Sequence, residues 1–399
     1  MKNVYITAFA LCGFVFSPHA LSNSTDQAQR IHNRIAGVPP SQNVLNSMTT
    51  LIDQNNPAAA AQLAMDNDFF YSVTLKNFAS PMTNIDGDVF VPLNDYSATL
   101  IGMVRDDKDF RNILFDDILY VGDDSLAITP YSNSNNNHYQ QLEDLTSPLQ
   151  TTLVEKRQSA VTGLEPNATA GVLTTRAAAK AFFFAGTNRA QFRFTLMNYM
   201  CKDLEQVKDI SLSPDRIRQD VSRSPGGDSR IFNNNCIGCH TGMDPMAQAF
   251  AYYEYSYNAD TDPDGEQGQL SYNSAGELDP ITGSRVQKKY RINSSSFPYG
   301  FVTPDDNWEN YWRQGQNQNL GWAATLPGKG SGAKTMGQEM AFAEQFAQCQ
   351  VDKVFENVCF RAPLQQDQAQ VDQMVAQFKN SGYKLKQIFA DAAVYCMGD

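Results

Sequence analysis

The chain has 399 residues, enough for two or three average domains or one large elaborated one. Hydrophobic residues make up 42% and aromatic residues 11%, which excludes a disordered chain. Charged residues reach only 19% and the net charge is −12, which excludes a duplex nucleic-acid binder and a protein held to anionic lipid by basic residues.

Lys2 is the only charge before Asp26, and residues 4–16 form a nearly unbroken apolar run. Such a run falls short of the roughly 20 residues that span a bilayer. Ser17-Pro18-His19-Ala20-Leu21-Ser22 comes next, and its small residues suit cleavage after Ala20 or Ser22. We expect residues 1–22 to be a secretory signal peptide and the mature protein to be periplasmic or secreted. Cys12 stands behind Leu11, where a lipidated cysteine would want a small residue. No other segment is long and apolar enough for a span, so an integral membrane protein is not expected.

Residues 23–165 read as an N-terminal helical region. Ile31 and Ile35 mark a first helix, and Ser41 caps a second with Val44, Leu45, Met48, Leu51 and Ile52 on one face. Asn56-Pro57 opens another, and Phe69, Phe70, Val73 and Phe78 suggest one more. Helical spacing of Phe110, Ile113, Leu114, Ile118 and Leu119 predicts a helix over 106–120, and a polar Asn-rich loop then leads to His138-Tyr139. Residues 173–204 are again helical in pattern, and Pro225-Gly226-Gly227-Asp228 is a turn.

Within the next region, 166–257, stands Cys236-Ile237-Gly238-Cys239-His240, the attachment signature of a c-type haem. Two thiols add across the haem vinyl groups, and two intervening residues let one turn of chain span them. The adjoining histidine then reaches the iron as proximal ligand. Other chemistries fit less well. A thioredoxin-like redox pair would come after a buried strand, but Asn233, Asn234 and Asn235 precede it here. A zinc site lacks a fourth ligand, and a disulfide between Cys236 and Cys239 would be strained. Asp244-Pro245 reads as a cap and first turn of a helix with Met246, Ala249, Phe250, Tyr253 and Tyr257 on one side. Met243 is too near His240 to reach the opposite face of the iron, so we read it as packing beside the haem.

Residues 258–334 are rich in Gly, Pro, Ser and Asn and read as a loop-rich insertion with a small β-hairpin, alternation over 287–292 being one example. Asp260, Asp262 and Asp264 before Gly265 resemble the start of a calcium loop, yet Ser271 stands where its closing glutamate belongs; a solvated acidic turn is the better reading. Residues 335–399 are a C-terminal helical module, with helices over 337–360, 367–379 and 384–395.

Four other mature cysteines remain: Cys201, Cys349, Cys359 and Cys396. On one helix over 337–360, Cys349 and Cys359 are about 15 Å apart along the axis, too far for the roughly 4.4–6.8 Å Cα separation of a disulfide. Each must pair with Cys201 or Cys396, and we prefer Cys201–Cys349 with Cys359–Cys396.

The motif with Met243-Asp244-Pro245 after it resembles the large single-haem cytochrome c-like proteins of planctomycetes and marine gammaproteobacteria. Gly171-Val172-Leu173-Thr174, Phe346-Ala347-Gln348-Cys349, Arg361-Ala362-Pro363, Gly382-Tyr383-Lys384-Leu385 and His138-Tyr139 stand in that family's order. The resemblance covers residues 67–399, specifically at the motif and loosely elsewhere, and it implies an exported haem protein.

The expected fold class is mainly α, a cytochrome c-like helical bundle around one covalent haem. The expected function is electron transfer with a redox partner protein or a small electron donor or acceptor. Two alternatives stand beside it: a haem peroxidase or oxygenase with an open distal site, and a binding or scaffold protein stabilised by haem. For the sixth iron ligand the candidates are His138, a distant methionine (Met336 or Met340), or none.

Overall fold

A computed structural model describes residues 23–145, 147–183, 188–274, 277–278, 283, 285–286 and 305–398. The expected signal peptide and the alternating stretch at 287–292 lie outside them. The described chain is mainly helical, with four separate two-stranded antiparallel sheets.

Helices Ser24–Ala36, Gln42–Asp53 and Pro57–Met65 pack on one another, and each start is fixed by a side chain. Asn23 accepts from the Asp26 N–H, Ser41 from Val44, and Asn56 from Ala59 just ahead of Pro57. Their buried faces carry Ile31, Ile35, Met48 and Ile52, as the spacing predicts. Those faces are closed by a distant element. Helix Leu385–Tyr395 packs against Ser24–Ala36 and Pro57–Met65, and also against Glu344–Cys359. The N-terminal and C-terminal regions thus share one core.

Three expected helices differ from what forms. Residues 106–120 hold a short 3-10 turn, Phe110–Leu114, and then a strand, Leu119–Gly122, paired with Leu153–Lys156. The strand wins because it lies across helix Asp95–Arg105 at Gly102, where a Cβ would sit 2.1 Å from the Tyr120 ring. The helix expected to run to Tyr257 gives way to a 3-10 turn, Gln248–Phe250, and then to strand Tyr253–Ser256. That strand pairs with Gln269–Tyr272, and Tyr253 and Tyr255 are buried at the period of a strand, two. Residues 337–360 are two helices, Gly332–Ala341 and Glu344–Cys359, broken at Phe342-Ala343. Both disulfide cysteines still fall on the second, so the distance argument survives the break. Cys201–Cys349 and Cys359–Cys396 are bonded, with Cα separations of 5.3 and 5.7 Å.

In the loop-rich region a hairpin forms at Glu277–Leu278 with Arg285–Val286, and Asn307–Glu309 pairs with Lys329–Ser331. Both carboxylate oxygens of Asp262 are engaged, accepting from the Glu266 and Gln267 N–H groups. The acidic stretch Asp260, Asp262, Asp264 is therefore built as a turn around its central carboxylate. No helix among the described residues is long and apolar enough to cross a membrane.

Candidate haem-attachment site

After the Gly226-Gly227 turn, Asp228 caps a short helical segment, Ser229–Ile231, by accepting from the Arg230 N–H. The chain then passes through a π turn, Phe232–Cys236, directly into the motif helix, Ile237–Ala247. A π turn inserts one residue and so rotates the downstream helix about its axis. Phe232 is buried with the Arg223 guanidinium 5.0 Å over its ring, Asn233 to Asn235 face solvent, and Cys236, Cys239 and His240 are half-buried.

Two glycines of the motif helix make close contacts with their surroundings. A Cβ on Gly238 would meet Ile210 at 3.2 Å, and one on Gly242 would lie 2.0 Å from Nε1 of the fully buried Trp312. The Gly238 carbonyl accepts from the Asp209 N–H, and the Thr241 hydroxyl donates to the Asp209 carbonyl. These contacts fix the helix and so fix the direction in which the cysteines project.

Both motif thiols are free. Burial pushes the Cys239 thiol up, and nearby Glu205 adds to this. A redox-active pair needs a thiol pushed down, commonly by a helix N-terminus. Here the helical path begins at Ser229, upstream of both cysteines, so neither thiol stands at the start of a helix. An open groove of about 400 Å³ lies against the motif, lined by Cys239, Gly238, Asn234, Asn235 and Ile210 among others. Ile210, 75% exposed, is the one large apolar side chain on this groove, whose other lining residues include Glu205, Lys208 and Asp209.

His240 Nδ1 lies 3.1 Å from an Asp244 carboxylate oxygen, to which it donates. The Asp244 side chain is wholly buried. It also accepts from Arg189 Nε at 2.7 Å, Arg189 Nη2 at 3.1 Å and the Arg218 N–H at 3.1 Å. Asp220 takes the other edge of the Arg189 guanidinium at 2.8 and 3.1 Å and accepts from Arg218 Nη2. Burial alone would raise the Asp244 carboxyl. The His240 hydrogen bond and the Arg189 charge outweigh it and hold the group well below the usual carboxylate range. Asp244 and Pro245 therefore do not begin a helix, as their order suggests; they sit in the last turns of one. Asp244 has exchanged a cap's role for a buried ion pair. His240 Nε2 has no hydrogen-bond partner among the described residues, and it is the atom an iron would need. Free thiols and an open Nε2 fit a covalently held haem.

His138 is placed elsewhere. Its Nε2 accepts from the Gly122 N–H at 2.9 Å and its Nδ1 donates to the Thr129 carbonyl at 2.7 Å. Both nitrogens are used in tying a loop to a strand, and the one free lone pair, on Nε2, is taken by the Gly122 N–H. A cavity of about 450 Å³ adjoins it, lined by Val121, Ile128, Tyr131 and Lys156 among others, and no motif residue lines it. Met243 is buried beside the motif, while Met336 and Met340 are fully buried on a helix that packs against Gln248–Phe250.

Sequence reasoning singled out Cys236, Cys239 and His240 but not Asp244 as a partner of His240. The signal was present, since positions four apart on a helix face one another. Arg189, Asp220 and Arg218 reach the site through tertiary folding and carry no local mark. No protein-family model, curated protein or solved structure matches the chain.

Proposed function

We propose that the chain is an exported single-haem c-type cytochrome that transfers electrons, with Cys236 and Cys239 as the thioether residues and His240 as proximal ligand. The observation that carries this reading is the attachment motif on one rigid helix, with both thiols free and His240 turned by Asp244 so that Nε2 is open. A haem bound there supplies one-electron redox chemistry at iron. The protein's share is to fix the imidazole, cover one edge with Met243 and Ile210, and keep the helix from shifting through Trp312. The two disulfides fit an oxidising extracellular or periplasmic compartment, where c-type haem attachment takes place.

The test is to express the full chain, with residues 1–22, in a host that matures cytochromes c and stain denaturing gels for haem. One band resistant to acid–acetone extraction is expected, and Cys236→Ala with Cys239→Ala removes it. An unstained wild-type band refutes the proposal. A second reading, a haem peroxidase, is favoured by one feature, the carboxylate on His240, because an anionic partner strengthens the push of a proximal imidazole. Turnover with peroxide faster than reoxidation by a small acceptor would select it.

A further inference from the structure

The attachment motif would hold a haem without fixing its redox poise; the buried ion cluster behind the motif acts on that poise. His240 donates from Nδ1 to a carboxylate, not to a peptide carbonyl, at 3.1 Å. That bond fixes the tautomer, leaving Nε2 as the bare nitrogen. With the Asp244 side chain fully buried, no water screens its charge from the imidazole. Arg189 grips the carboxylate, which keeps the group in place. Asp220 occupies the other edge of that guanidinium and also bonds Arg218. The cation is thereby shared between two carboxylates, and Asp244 keeps part of its charge for the imidazole.

We propose that Asp244, seated by Arg189 and Asp220, is a positioning residue that gives His240 imidazolate character and so holds the bound iron at low potential. The inference rests on the haem reading above. A more electron-rich ligand stabilises ferric iron more than ferrous, so reduction becomes harder. The arrangement suits a protein that passes electrons on from a strongly reducing donor.

The experiment compares the haem-loaded wild-type mature chain with Asp244→Asn, a near-isosteric change that removes the charge. Gels stained for covalent haem, midpoint potentials and the iron–imidazole stretching band of the photolysed ferrous carbon monoxide adduct are recorded for both. Covalent haem is expected in each. The variant's one-electron equilibrium should move toward the reduced form by tenfold or more, about 59 mV, and its stretching band should fall in frequency. Haem-loaded proteins with equal potentials and equal bands overturn the proposal. Should the variant fail to fold, the wild-type band decides alone: a position typical of a neutral imidazole bonded to a peptide carbonyl overturns it. A wild type without covalent haem overturns the haem reading, and this proposal with it.

Discussion

Replacing Gly242 by alanine sets two effects of opposite sign against each other. In a helix interior alanine is favoured over glycine by about 1 kcal/mol. Against this, the new methyl would lie 2.0 Å from Trp312 Nε1 and 2.4 Å from Cε2, far inside van der Waals contact. Trp312 is fully buried, its indole packed 5.8 Å from the Phe192 ring, so it cannot swing away. Overpacking of a filled core costs typically 1–3 kcal/mol and occasionally more, and a clash this deep belongs at the upper end. Gly242→Ala should therefore lose about 2 kcal/mol net in urea unfolding monitored by far-UV circular dichroism. Trp312→Ala removes the clashing ring, along with an indole N–H that has no partner among the described residues. In that background the same alanine should be neutral or stabilising, which makes a double-mutant cycle strongly non-additive. Equal costs in the two backgrounds would refute the claim that Trp312 pins the motif helix.

Three further outcomes are expected. Replacing Cys201 and Cys349 by serine opens a loop whose ends are 148 residues apart; the chain-entropy model sets the loss at up to about 5 kcal/mol, read as a lower urea midpoint than wild type under non-reducing conditions. His138→Ala removes two hydrogen bonds and should cost about 2–3 kcal/mol while leaving the haem absorption spectrum unchanged; a low-spin to high-spin change would instead make His138 the sixth ligand. The Asp244 carboxyl is held below its unfolded value of about 4, so its stabilisation is complete above that pH and is lost as pH falls toward the folded value. The stability gap between wild type and Asp244→Asn should narrow by about 1 kcal/mol between pH 7 and pH 3, and a constant gap would contradict the ion pair.

The sequence carried the parts of this fold that depend on neighbours in the chain. Caps at Ser41 and Asn56, the helices over residues 367–379 and 384–395, and the attachment motif itself are local patterns with local causes. The helix over 106–120 failed for the opposite reason. Its apolar residues are buried as expected, yet a burial pattern that suits a helix also suits a turn and then a strand, and Gly102, several residues upstream, decides between them. A rigid helix excludes a Cys349–Cys359 bridge whatever surrounds it, and the preferred one of the two remaining pairings is the one that forms. At the site, Cys236, Cys239 and His240 announce themselves by spacing. The ion cluster joins positions 189, 218, 220 and 244, and only the folded chain brings them together.

The Gln27 side-chain amide donates to the Gly398 carbonyl, 371 positions away, and Arg30 donates to Met397 nearby. Helices Ser24–Ala36 and Leu385–Tyr395 are thus each other's packing surface. A chain emerging in order can cover the first helix with its two neighbours, but the share that Leu385–Tyr395 covers stays open until nearly four hundred residues are present. Loop closure over such a span makes the final step slow. The thiols at 236 and 239 emerge well before that step, so a haem joined to them, on the reading proposed above, would meet an open chain and not a finished bundle.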